Sequence, residues 1–263
     1  MIALRPDTRP PRVIGHRGAS SSFPENTAAA FDAALAEGCD AIELDVQLSR
    51  DRVPIVYRPQ LLQRAGGGRR RAFELDLADL KKLDVGIWFG ARFRGQRILT
   101  LEQTLRKYAP RTSLLLELKA RPREKTNGWH RALAEAVVDE VRSQGLRRRV
   151  MILSFDHETL SLVSRRDPVL RTAWTHWNSP SMRSAVRGKI ASVSALCIDV
   201  RTITPGVVRK VHRLRRPVIA YTCNMYGTAR RALESGADAI MTDRPAWLRR
   251  TIQQQSGSRK AGS

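Results

Sequence analysis

Ala41-Ile42-Glu43-Leu44-Asp45-Val46, continued by Gln47-Leu48-Ser49-Arg50-Asp51-Arg52-Val53-Pro54-Ile55-Val56-Tyr57-Arg58, is the stretch on which the fold turns. In its first six residues apolar side chains alternate with carboxylates, the period of a strand, and side chains two apart share a face, so Glu43 and Asp45 point together. A polar turn and a second strand-like run follow, which reads as a β-hairpin. With the turn centred between Arg50 and Asp51, antiparallel pairing sets Glu43 opposite Arg58 and Asp45 opposite Val56.

Outward from this stretch, short apolar runs recur at residues 13–15, 114–118, 151–154, 170–175, 195–200, 218–222 and 239–242, which with 41–46 makes eight. Longer amphipathic intervals separate them. Residues 27–37 show helical spacing and stop at Gly38, and residues 229–234 end at Gly236, the residue that best tolerates a left-handed helix terminus. Eight strands alternating with helices, in a chain of 263 residues, predict an α/β protein with a single (β/α)8 TIM barrel over residues 12–252. Residues 60–110 break the rhythm. They carry Gly66-Gly67-Gly68, a basic run and the aromatic residues Trp88, Phe89 and Phe93, and read as an insertion near the barrel mouth, either a flap or a small packing subdomain. Residues 1–11 and 253–263 have the Pro, Arg, Ser and Gly content of flexible termini.

Forty-seven Lys and Arg against 25 Asp and Glu leave a formal charge of +22, which attracts polyanions without choosing among them. The basic runs are scattered, for example Arg69-Arg70-Arg71, Arg147-Arg148-Arg149 and Arg249-Arg250, and several fall near helix ends; they read as a solvated surface rather than a nucleic-acid site. Cys39, Cys197 and Cys223 are far apart, odd in number and without metal-ligand spacing, as expected of buried thiols in a reducing compartment. No run approaches a membrane span and the opening residues lack a secretory apolar segment, so a cytoplasmic protein is expected. The oligomeric state is not legible.

Chemistry concentrates at the strand ends. Glu43 and Asp45 leave one strand as a pair suited to a hard cation such as Mg²⁺ or Ca²⁺. Glu117 closes the run Leu114-Leu115-Leu116 and reaches the same C-terminal rim, and His16-Arg17-Gly18 ends the first strand there. An imidazole beside an anion-binding guanidinium and a cation site suits general acid–base work. Pro24-Glu25-Asn26-Thr27 opens the first helix, with Asn26 or Thr27 as its cap. His176 and His157 follow later strands near the rim, whereas His130 and His212 fall on helices. Trp174 and Trp177 read as core before pocket wall.

His16-Arg17-Gly18-Ala19, Pro24-Glu25-Asn26-Thr27, Glu43-Leu44-Asp45-Val46, Trp88-Phe89-Gly90, Glu117-Leu118-Lys119, Ser154-Phe155 and Thr242-Asp243-Arg244-Pro245 together resemble the glycerophosphodiester phosphodiesterase family, over about residues 12–246. The resemblance implies cleavage of a small-molecule glycerophosphodiester to glycerol 3-phosphate and an alcohol with a divalent cation as cofactor. It implies metal binding by Glu43, Asp45 and Glu117, a catalytic role for His16 with Arg17, phosphate contact by Arg17 and Lys119, and a pocket-lining Tyr221. It also implies attack by the substrate's own glycerol hydroxyl, with two histidines sharing the proton transfers. The second belongs to a His-Asp pair for which this chain has Arg58-Pro59. A guanidinium does not exchange protons near neutral pH, so Arg58 is expected to bind substrate, or to pair with Glu43 in place of the cation, and turnover to be reduced or altered. The alternative is a catalytically inactive barrel that binds a phosphodiester or phosphorylated metabolite.

Overall fold

The computed structural model describes residues 4–58, 62–119, 128–178 and 184–260; Pro59 lies outside them. The strands are β1 (Arg12–His16), β2 (Ala41–Leu48), β3 (Pro54–Val56), β4 (Leu99–Thr100), β5 (Ser113–Leu118), β6 (Val150–Ser154), β7 (Arg171–His176), β8 (Ala195–Asp199), β9 (Val218–Tyr221) and β10 (Ala239–Thr242). The helices are α1 (Ala28–Ala36), α2 (Leu77–Leu80), α3 (Leu101–Tyr108), α4 (Trp129–Ser143), α5 (His157–Arg166), α6 (Ser184–Ala191), α7 (Pro205–Arg213), α8 (Tyr226–Ser235) and α9 (Pro245–Lys260). Eight parallel strands run in the order β1-β10-β9-β8-β7-β6-β5-β2, and β2 pairs back onto β1. The result is the closed (β/α)8 barrel that the alternating pattern predicts.

The period-two alternation sorts the side chains. Ile14, Ala41, Leu115, Met151, Ala195 and Ala239 are among those that point inward and fill the barrel. Their neighbours Ile42, Leu44, Leu114 and Leu116 point outward and pack with helix residues such as Phe31, Leu105 and Val137 in the larger core. A fully buried Leu or Ile contributes about 1.5–3 kcal/mol relative to an exposed one, so both layers hold the strands in register. Beyond the inward plug, the same phase delivers His16 from β1, Glu43 and Asp45 from β2, and Glu117 from β5. In the strand register His16 pairs with Glu43, and Asp45 with Glu117.

Helix starts follow the expected capping chemistry. Thr27, not Asn26, caps α1, accepting from the Ala30 amide. Thr100 and Gln103 form a reciprocal box on α3, and Thr204 caps α7 with Pro205 in its first turn. Gly18 carries φ +87°, and a Cβ there would lie 2.5 Å from both the carbonyl carbon and the oxygen of Ala30. Only glycine lets the loop after β1 sit this close to α1.

Three expectations are corrected. The hairpin register is one residue off: Val46 pairs with Val56, Gln47 with Ile55 and Leu48 with Pro54. The turn spans Ser49 to Val53, whose backbones pair at 3.0 Å, and centres on Asp51 because Arg52 adopts the left-handed conformation (φ 63°). Glu43 is therefore not opposite Arg58, nor Asp45 opposite Val56. The insertion is also shorter than residues 60–110. Leu62, Ala72, Leu80, Val85 and Ile98 close a separate cluster over Ile55, so a small packing subdomain stands here, whereas α3 is a barrel helix with Leu101, Leu105 and Tyr108 in the main core. Finally, α9 continues to Lys260, past the boundary expected at residue 252, and the segment before β1 is held where the Thr8 amide donates to Asp238 at 3.0 Å.

Candidate active site

One oxygen from each of Glu43, Asp45 and Glu117 lies within 4.8 Å of the other two, and all three residues are buried. Glu43 is pushed up to about 7 by burial and then by the neighbouring charge of Asp45. Burial also opposes charge on Asp45, but Lys119 and Arg17 hold its carboxyl well below the usual range. A backbone amide and a side chain aim this pair. The Glu43 carboxylate accepts from the Arg17 amide at 3.0 Å. Asn26, with φ 60°, donates to Asp45 Oδ2 at 2.8 Å while its own oxygen accepts from the Asp45 amide at 3.1 Å. Asn26 is thus a positioning residue for Asp45 rather than the helix cap.

Two cations answer the acids. Lys119 Nζ is 2.6 Å from Asp45 Oδ1 and also contacts Glu117 Oε1. Arg17 Nε is 2.9 Å from Asp45 Oδ2, and its NH1 donates to Glu25 Oε2 at 2.7 Å. Glu43 Oε1 is left buried without a hydrogen-bond donor. A hard, all-oxygen donor set with an orphaned buried carboxylate oxygen fits a divalent cation.

His16 stands beside the triad, with Nε2 4.0 Å from Glu43 Oε2. Its Nδ1 is 2.6 Å from Asp243 Oδ1, in the loop after β10. An ionised carboxylate only accepts, so Nδ1 donates to it and Nε2 is the ring nitrogen left for proton exchange. Asp243 is itself held, accepting from Ser20 Oγ at 3.0 Å and from the Asn224 side-chain amide. Burial works against its charge, but the hydrogen bonds from His16, Ser20 and Asn224 keep its carboxyl below the usual value.

These groups open onto a cavity of about 800 Å³ lined by His16, Arg17, Glu117, Lys119 and Asp243, by Arg58, and by Phe155, Trp177 and Tyr221. Phe155 and Trp177 stack with centroids 4.2 Å apart, so Trp177 is pocket wall, while Trp174 is buried and donates to the Phe155 carbonyl. Tyr221 is on the cavity wall, its hydroxyl donating to the His176 carbonyl at 3.0 Å. Arg58 reaches the cavity but pairs with no member of the triad: its nearest acid is Glu25, 3.8 Å away. The expected Arg58–Glu43 ion pair is absent among the described residues, because the register shift carries Arg58 beyond the end of β3. Of the five histidines only His16 lines the cavity. His176 Nδ1 is 2.7 Å from the Asn178 carbonyl oxygen, His157 begins α5 against Ser192, and His212 contacts Asp238.

Asp243, Asn26 and Glu25 are the site residues that sequence reasoning missed. Each lay in a quoted motif, and the signal for Asp243 was a carboxylate just after a strand run.

Fold and site define a (β/α)8 barrel whose mouth combines an acidic triad, a fixed imidazole and guanidinium groups. The sequence model described as the Glycerophosphoryl diester phosphodiesterase family matches residues 16–247, and the chain belongs to that family. A glycerophosphodiester phosphodiesterase of Caldanaerobacter subterraneus is 30% identical over 239 residues, 90% of this chain and 95% of that protein. An Oleispira antarctica phosphodiesterase, solved in complex with the product sn-glycerol-3-phosphate, superposes with a TM-score of 0.82 at 27% identity, covering 92% of this chain and 97% of that one. The Agrobacterium tumefaciens glycerophosphodiester phosphodiesterase superposes with a TM-score of 0.72 at 26% identity, covering 90% and 98%.

Proposed function

We propose that this chain hydrolyses glycerophosphodiesters to glycerol 3-phosphate and an alcohol, and that turnover is slow when the alcohol is a poor leaving group. The observation that carries the reading is the meeting of Glu43, Asp45, Glu117, Arg17 and the His16–Asp243 pair around one cavity. Glu43, Asp45 and Glu117 would hold a divalent cation, Mg²⁺ or Ca²⁺, which when bound supplies charge neutralisation at the phosphate oxygens. Arg17, braced by Glu25 and Asp45, and Lys119 present further positive charge to the same anion. His16 Nε2 takes the proton of the attacking glycerol hydroxyl, whose new bond to phosphorus replaces that of the departing alcohol and leaves a cyclic glycerol phosphate; water then opens that ring to glycerol 3-phosphate, and Asp243 holds the imidazole in the tautomer that can accept a proton.

Arg58 sets the limit. It can donate a hydrogen bond to a phosphate or departing oxygen but cannot give up a proton, and no second imidazole lines the cavity to do so. Departure then depends on the acidity of the alcohol. The test is release of glycerol 3-phosphate from several glycerophosphodiesters with Mg²⁺ or Ca²⁺. Release above a His16→Ala control supports the reading, and none from any substrate overturns it.

The lone imidazole also favours a second reading, a barrel that binds a phosphodiester or phosphorylated metabolite without turning it over. Calorimetry on the same substrates separates the two, because heat of binding with no product belongs to the second alone. A cytoplasmic place of work is part of the proposal, supported by the three unpaired thiols Cys39, Cys197 and Cys223. No helix among the described residues is long and apolar enough to cross a membrane.

A further inference from the structure

Among the described residues the exposed large hydrophobic side chains are Ile87, Trp88, Val169, Trp177, Met225 and Tyr226, between 38% and 68% accessible. Single exposed apolar residues need no explanation; their distribution does. Trp177 follows β7, Met225 and Tyr226 follow β9, and Ile87 with Trp88 belongs to the subdomain that follows the β2–β3 hairpin. All five therefore stand in segments that follow the C-terminal ends of strands, with Tyr226 the first residue of α8, on the face that carries the cavity. Only Val169, between α5 and β7, lies on the opposite face.

Arginines are interleaved with them. Arg64 lies 4.7 Å over the Trp88 ring, and Arg201 and Arg231 line the same depression as Met225. Arg58 lines the cavity beside Trp177. We infer that the mouth face docks on an anionic lipid surface, with Trp177, Met225, Tyr226 and Trp88 entering the headgroup layer and the arginines meeting lipid phosphates. The apolar points stand after β3, β7 and β9, no two of which are neighbours in the sheet order. Scattered insertion points suit a fluid interface, whereas a protein partner needs a contiguous, shape-matched area. The formal charge of +22 is complementary to acidic lipid, each basic residue near such a surface adding on the order of 1 kcal/mol. Basic residues lie on both faces, so charge supplies the attraction and the aromatic and methionine side chains choose the face. Docked this way, the cavity opens toward the layer in which phosphodiester headgroups lie. The inference does not require turnover, so it stands or falls apart from the proposed hydrolysis.

The test is co-sedimentation of the whole chain with vesicles of phosphatidylglycerol and phosphatidylcholine, against vesicles of phosphatidylcholine alone. The expected result is binding to the anionic vesicles only, weakened about tenfold in a Met225→Ser, Tyr226→Ser double variant and unchanged in Val169→Ser. Both variants should first show the wild-type melting temperature; if the double variant is unstable, quenching of tryptophan fluorescence by brominated acyl chains in the unmodified protein replaces it. Absence of binding to anionic vesicles overturns the inference. So does binding that the double variant retains in full and that salt or a soluble polyanion abolishes, because charge spread over the whole surface would then account for it.

Discussion

At the scale of single residues, Asp243 and Arg58 carry the most information. Asp243 holds His16 through Nδ1 and also lines the cavity, so its substitution tests whether it orients the ring or meets the substrate. Asp243→Asn leaves shape intact but offers Nδ1 an amide that can present either end, and kcat should fall on the order of 10²-fold with KM little changed. Equal loss in both parameters would assign Asp243 to substrate binding instead. Arg58→His places a proton donor on the wall of the cavity that His16 also lines. It should raise turnover of alkyl glycerophosphodiesters on the order of tenfold while barely changing esters of acidic phenols, whose oxygens leave without a proton. No difference between the two ester classes would remove Arg58 from the departing oxygen. That Glu43, Asp45, Glu117 and His16 converge on one rim was legible from strand periodicity and from their places at strand ends, while their roles were given by the family resemblance. Asp243 was not, because its role rests on a contact between His16 and a residue 227 positions away. Asn26 was one of two cap candidates, of which Thr27 is the cap, and its bond to Asp45 was not legible because nothing local shows that its amide is diverted there.

At the scale of elements, the turn between β2 and β3 shows where pattern reading stops. The two strands were visible, but their register depends on Arg52 adopting a left-handed backbone, a conformation that residue type announces for Gly, Asn or Asp and not for Arg. One residue of slip was enough to move Arg58 from Glu43 to the neighbourhood of Glu25. The subdomain boundary was misplaced for a related reason: α3 follows an irregular stretch directly, and only its packing against the main core marks it as a barrel helix. The loop joining β1 to α1 gives a testable case of local geometry. Gly18→Ala adds a methyl group that meets the Ala30 backbone and also forces a non-glycine residue to φ +87°, so it should destabilise the fold by roughly 2 kcal/mol or more, read as a lower denaturation midpoint. Gly227→Ala, within α8 and with open space around its Cβ position, is the matched control and should be neutral or stabilising by up to about 1 kcal/mol. Equal behaviour of the two would show that the β1–α1 loop yields easily.

At the scale of the whole molecule, the buried acids tie stability to ligand. A cation bound only by the folded state adds about 2.7 kcal/mol at a hundredfold excess over its dissociation constant, which for a chain of this size is a rise of roughly 5 °C or more in Tm. Protein stripped with chelator should therefore melt lower and recover with Mg²⁺ or Ca²⁺, and Glu117→Gln should flatten that response. Identical melting with and without cation in the wild type would sink the proposed metal site while leaving the barrel untouched. The barrel itself was readable because eight short apolar runs separated by helical intervals admit few architectures. Its closure was not written in any one segment, since β1 has to find both β2 and β10. The contact between His16 and Asp243 sits on that seam. A chain still emerging from the ribosome carries its imidazole ring from the first barrel strand, yet cannot fix that ring until the last strand, β10, and Asp243 after it have been synthesised. Premature termination anywhere before residue 243 should therefore yield no partly working fragment, and a circular permutant that opens a surface loop elsewhere while joining the original ends would bring the two halves of the pair together early in translation.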